Sequence, residues 1–337
     1  MRSEKDRLRY YCRLFAQAHS PDGKLLAIGD GYGTITLFNL KAALSEEDNE
    51  SRLSELRRPV KRINHGQPIY GLASSPLHLI CGDDAGVVSG YAWSELRGPN
   101  PSPAWSFQAT TGGTKHCPAE VTRVAVLEDG ERLVTAGAGE DNLRLWSLEG
   151  GRLERSLIGH SDYVHDVSGR SGSQELASAS EDGSARLWDL RVGSAVAVLR
   201  PADAPEARRP ALGPWLGAVA LSGDWLITGG GPALGLWHLP TRALLKTLDP
   251  ASEVAHHALL CLPDRILSGG SVSRLSAWSY DGEALGEVPV GSSSVYSLHL
   301  NDGPEEGCRV VTSAGGGSSV DVFVNPAYRA FSLQSIP

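Results

Sequence analysis

The sequence predicts an all-β chain folded as a seven-bladed β-propeller, and three observations carry the prediction. A small or β-branched residue followed about ten positions later by an aromatic one recurs seven times along the 337 residues. An apolar segment precedes each pair and another short one follows most of them, giving about four short strands for every 40–50 residues. No amphipathic helix of useful length falls within the repeats, which argues against helical solenoids and parallel α/β folds. The 39 glycines and 20 prolines suit a chain of many tight turns.

In chain order the pairs are Ile28 and Phe38, Cys81 and Trp93, Thr135 and Trp146, Ser178 and Trp188, Thr228 and Trp237, Ser268 and Trp278, and Thr312 and Phe323. Each marks a strand, a Gly-rich turn and a strand closed by an aromatic, so the seven aromatics are the expected blade-core residues. The segments "PIYGLAS", "VTRVAVL", "DYVHDVS", "LGAVALS", "HHALLCL" and "SVYSLHL" supply the strand that opens a blade, with His256 and His257 at the start of one of them. "YRAFSL" near the C-terminus is placed to supply the outer strand of the seventh blade. The expected organisation is therefore an N-terminal arm over 1–13 and a propeller over 14–337. Three stretches exceed what strand connection needs: 41–62, 97–120 and 200–214, all Pro-rich or charged.

The fourth repeat, "GHSDYVHDVSGRSGSQELASASEDGSARLWDL", adds a histidine and an acidic turn to the pair. A buried indole N–H needs an acceptor, which a hydroxyl on the neighbouring strand supplies. A histidine can bond that hydroxyl, and a turn carboxylate can fix its tautomer. His160, Ser178, Asp182 and Trp188 in this order resemble the structural tetrad of WD40 repeats, which makes the expected fold a WD40-type propeller. The other repeats keep only parts of the set: His65 heads the second, and the turns of the fifth and sixth lack aspartate. Gradual decay over seven copies fits a stability device and not a catalytic set.

Composition narrows the function classes. Net charge is −8, so the body has no general attraction for nucleic acid. Two local basic runs, Arg2 to Arg13 and Arg57, Arg58, Lys61 and Arg62, read as solvated helix or loop. Five scattered cysteines without C-x-x-C spacing favour free thiols in a reducing compartment. No apolar run approaches the roughly 20 residues of a membrane helix, and the first residues lack a secretory signal core. "GDGYG" and "GAGED" are followed by strands and not helices, so they read as β-turns and not phosphate loops. His256 and His257 have no third ligand at useful spacing, and no nucleophile–base constellation stands outside the repeats. The expectation is a non-enzyme with no metal and no cofactor, binding other proteins through its loops and faces.

Several stretches go beyond generic WD40 repeats. "GDWLITGGGPALGLWHL", "IGHSDYVHDV", "EDGSARLWDLR" and "SSVDVFVNPAYRAFSL" together resemble the THO complex subunit 6 family from about Leu14 onward. That resemblance implies a nuclear WD-repeat scaffold coupling transcription and messenger-RNA processing to export. Its partners would be other THO subunits, coiled-coil ones among them, with no specific contact to nucleic acid and none to membrane. A second expectation comes from Trp188, Asp189 and Arg191, which match the W-D-x-R feature of WD proteins that serve as substrate receptors on cullin-4 ubiquitin ligases. Arg191 would then anchor the cullin-4 adaptor.

Overall fold

Seven four-stranded antiparallel sheets follow one another along the chain, each with its strands in sequence order from inner to outer. They span Leu14–Asn64, Ile69–Gln108, Val121–Ile158, Val164–Leu199, Leu216–Leu248, His256–Pro289 and Val295–Gln334. The computed structural model describes residues 12–336 apart from 46, 48, 111–112, 115–116, 128–129, 138–141, 171, 250–251 and 306. Neighbouring inner strands pack side by side around a central channel, and the inner strand of blade 7, Val295–Asn301, packs on that of blade 1, Leu14–His19. The ring is thereby closed, and the fold is the all-β, seven-bladed propeller that the repeats predict.

The blades share no single core. Seven apolar clusters each fill one interface between adjacent blades. Phe38, for example, packs with Val320, Val322 and Leu333 of blade 7, and Trp188 with Leu143, Leu145 and Leu157 of blade 3. The second strand of a blade is covered on both faces, so Leu25–Asp30 is buried throughout and reads as a continuous apolar run instead of an alternating one. The outer strand of blade 4 alternates: in Ser194–Leu199 only every second residue is shielded.

The closing strand of blade 7 is Phe331–Gln334, paired antiparallel with Ser319–Phe323. Residues 1–11 of the expected arm lie outside the described residues. Cys12 is buried beside Leu14 at the blade 7–blade 1 interface, so propeller packing already includes it. The long stretches are tied to the body. The stretch 41–62 holds a helix, Glu50–Leu56, capped by Asn49; the Arg57 guanidinium that follows lies 4.0 Å over the Phe331 ring, and Arg62 donates to the Ser335 carbonyl. The stretch 97–120 contains the outer strand of blade 2, Trp105–Gln108. Within 200–214, Arg209 is buried and donates to the backbone carbonyls of Val254 (2.9 Å) and Asp249.

Each inner strand carries an irregularity at the same place. The register with the second strand shifts across the strand's second residue in all seven blades. The residues skipped are Phe15, Tyr70, Thr122, His165, Gly217, His257 and Tyr296. A bulge re-aims the residue it contains, and here it brings the same position of every blade to the channel mouth.

Candidate functional site

In blade 4 the four repeat-marked residues converge. The indole of Trp188, wholly buried, donates to Ser178 Oγ at 2.9 Å, and His160 Nε2 lies 2.7 Å from the same oxygen. His160 Nδ1 sits 2.9 Å from Asp182 Oδ2. Burial works to raise the Asp182 carboxyl, but hydrogen bonds from Ser184 and His160 prevail and bring it down to about 2. Burial holds the His160 imidazole below its ordinary range even though Asp182 favours its charged form. Ser178 is wholly buried and its oxygen is shared by two partners, so the four residues form one hydrogen-bonded network inside the blade.

The remaining blades keep the indole–hydroxyl bond where both partners exist. Trp146 donates to Thr135, Trp237 to Thr228 and Trp278 to Ser268, each at 3.0 Å. Phe38 and Phe323 occupy the same position without an N–H, both buried. Two expectations are corrected. In blade 2 the core aromatic is Tyr91, not Trp93: Tyr91 faces Leu79 as Trp188 faces Leu176, whereas Trp93 lies beyond the strand Val87–Ala92 and is only half-buried. The Tyr91 hydroxyl lies 2.8 Å from His65 Nδ1, and His65 Nε2 lies 3.0 Å from Asp83, so a phenol replaces both hydroxyl and indole while Cys81 fills the serine position. In blade 7 that serine position belongs to Ser313, one residue after Thr312, because Phe323 pairs with Val311.

At the channel mouth the bulge residues assemble a horseshoe of rings. Phe15 meets Tyr70 edge-on with centroids 5.2 Å apart and Tyr296 at 5.8 Å. Tyr296 meets His257 at 5.7 Å, His257 stacks on Trp215 at 5.6 Å, and Trp215 meets His165 at 6.3 Å. Blade 5 contributes from an unusual position. Its bulge residue is Gly217, where a Cβ would come within 2.7 Å of the Trp215 ring, so glycine at 217 vacates the place that Trp215 fills. The horseshoe is open at blade 3, where Thr122 binds the Val164 carbonyl at 2.6 Å instead. Below the rings, Arg123 pairs with buried Asp166 at 3.0 Å, and Asp166 also accepts from the backbone N–H of Val219 in blade 5. The mouth encloses a cavity of about 460 Å³. Among the described residues no group of three or more His, Cys, Asp and Glu is placed to hold a metal.

Residues 151–189 match the family model "WD domain, G-beta repeat", a stretch that runs from the start of the outer strand of blade 3, Arg152–Ile158, to the end of the Trp188 strand and holds all four tetrad residues. The chain is 37 % identical over 327 residues to "THO complex subunit 6 homolog" of Mus musculus, covering 96 % of this chain and 93 % of that protein. "THO complex subunit 6" of Homo sapiens matches at the same identity and coverage. The chain belongs to the THO complex subunit 6 family. A more distant relative, "THO complex subunit 6" of Arabidopsis thaliana, is 28 % identical over 91 % of the chain and 86 % of its own length.

On this member of the THO complex subunit 6 family, Arg191 stands apart from the tetrad. Its side chain is 72 % exposed and forms a two-pronged pair with Asp189, Nε to Oδ1 at 2.9 Å and Nη2 to Oδ2 at 2.7 Å. Those hydrogen bonds bring the Asp189 carboxyl down to about 2. The guanidinium is thus pre-oriented at the end of the strand Ala185–Asp189. Sequence reasoning missed the ring of the channel mouth. The signal was present as one aligned column, the second residue of each opening strand, but its meaning depends on seven separate bulges converging.

Proposed function

We propose that this protein is a non-catalytic WD-repeat scaffold subunit of a THO/TREX-like complex, linking transcription and messenger-RNA processing to nuclear export of messenger RNA. The observation that carries the reading is the 37 % identity sustained over 96 % of the chain with proteins named as THO complex subunit 6. Its partners are other THO subunits, bound through propeller surfaces, and its place is the nucleus. The net charge of −8 fits protein contacts better than sequence-independent contact with RNA. No described helix is long and apolar enough to cross a membrane. Affinity purification of the tagged protein from nuclei, with partners identified by mass spectrometry, tests the reading. Recovery of the other THO subunits in comparable amounts is expected, and their absence would overturn it.

The exposed, Asp189-braced Arg191 supports a second reading, a substrate receptor on a cullin-4 ligase. Arg191→Ala discriminates the two. Under the THO reading the variant keeps its THO partners in undiminished yield and its stability changes by less than about 0.5 kcal/mol. Under the ligase reading an adaptor seen with the wild type is lost, at a binding cost on the order of 2 kcal/mol.

A further inference from the structure

We propose that the channel mouth is a binding site for a methylated lysine side chain presented by a protein partner, with the ring horseshoe taking the quaternary ammonium head. The inference does not depend on which assembly the protein joins. Six rings from six blades face one cavity, and none of them is required for the blade interfaces, which are filled by the clusters already described. Aromatic faces carry negative potential and attract a cation that sheds its water easily, which favours a methylated ammonium over a bare one.

Geometry selects the shape of the cation. Three of the five neighbouring ring pairs are steeply inclined, by 61° at Phe15–Tyr70, 61° at Tyr296–His257 and 76° at Trp215–His165, while Phe15–Tyr296 is tilted by 35° and Trp215–His257 is stacked at 23°. Walls inclined in this way surround a rounded head, whereas a flat guanidinium needs one parallel slot. The cavity of about 460 Å³ has room for a long aliphatic stem as well as the head.

Charge at the rim agrees. Glu181, 2.6 Å from His165, borders one arm of the horseshoe, and Glu120 stands at its opening in blade 3. Asp84 is held beside them by the Tyr70 hydroxyl at 3.2 Å. Burial, the like charge of Asp84 and a hydrogen bond with it all raise the Glu120 carboxyl. Among the described residues that line the cavity the single arginine, Arg123, is matched by Asp166 at 3.0 Å. Burial lowers the His257 imidazole below its ordinary range, which favours its uncharged form.

Calorimetric titration of the full chain with three short peptides tests this. The peptides are identical except for one residue: trimethyl-lysine, lysine, or the neutral carbon isostere of trimethyl-lysine. Trimethyl-lysine should bind saturably and at least tenfold more tightly than either of the others. Trp215→Ala and Tyr296→Ala, with circular dichroism and melting confirming the fold, should each weaken it at least tenfold. Glu181→Gln, a nearly isosteric change at an exposed position, should weaken it about threefold, with its melting temperature recorded alongside. Equal binding of the neutral isostere, no saturable binding at millimolar peptide, tighter binding of an arginine peptide, or folded ring variants with unchanged affinity would each overturn the proposal.

Discussion

Trp188 is wholly buried and its N–H ends on Ser178, a hydroxyl that His160 also engages. Removing the ring both empties a large space and frees Ser178, so Trp188→Ala should cost about 3–5 kcal/mol. Asp182→Asn keeps the shape and weakens only hydrogen bonds, at a cost of about 1 kcal/mol. Chemical denaturation of both variants checks the order, and equal losses would contradict the separate roles. The same measurement addresses blade 2. Tyr91→Ala should destabilise more than Trp93→Ala, since Tyr91 is enclosed within the blade 1–blade 2 cluster while Trp93 packs against it only half-buried. Counting from Cys81 to a tryptophan misplaced this residue by two. Tryptophan dominates the other repeats, but register obeys the pleat, and the pleat puts Tyr91 opposite Leu79.

Among elements, the last strand matters most for closure. Phe331–Gln334 is laid on Ser319–Phe323 by backbone pairing, with Leu333 wholly buried and Arg57 from blade 1 covering Phe331. Each blade here is one continuous segment of chain. No strand is exchanged between the first and last blades among the described residues. Deleting 329–337 should therefore bare the edge of Ser319–Phe323 and open the 7–1 interface, producing aggregation on size-exclusion chromatography. Deleting 1–10 should leave the melting temperature unchanged. A soluble first truncation with an insoluble second one would show closure by the N-terminal segment instead. The opening strands show the limits of pattern reading at this scale. Their apolar character is visible in "DYVHDVS" or "SVYSLHL", yet the bulge that turns His165 and Tyr296 into the channel leaves no mark of its own.

For the whole molecule, the ring is a set of seven interfaces, and imidazoles are buried throughout it. Burial holds His19, His160, His256, His257 and His299 below their ordinary range, with His256 at about 3. Each takes up its proton at a lower pH in the folded state than in the unfolded chain, where protonation comes near pH 6.5. The unfolded state then binds more protons below pH 6.5, so stability falls as pH drops, by up to about 1.4 kcal/mol per pH unit for each histidine. Asp182, depressed to about 2, loses its contribution in a lower window, as pH falls from about 4 toward 2. Asp30 and Asp166, raised by burial, act with the opposite sign to the histidines. Melting temperatures at pH 7.5, 6 and 5 should fall steadily, and a flat profile would contradict neutral burial of this group.

The sequence by itself determined the number of blades, their order, the turns and the tetrad of blade 4. Those features arise from contacts between strands adjacent in the chain, so hydroxyl, turn and aromatic recur at a nearly constant spacing. It also carried the family, because identity extends along almost the whole chain. Tertiary structure alone decided what lies between blades and around the axis. Arg209 reaching the Val254 carbonyl, Arg57 over Phe331 and six rings meeting from six blades all join residues tens to hundreds of positions apart. Nothing local constrains such pairs. They meet because closing the ring brings every inner strand to one axis, and because the bulges of five blades turn a ring toward it.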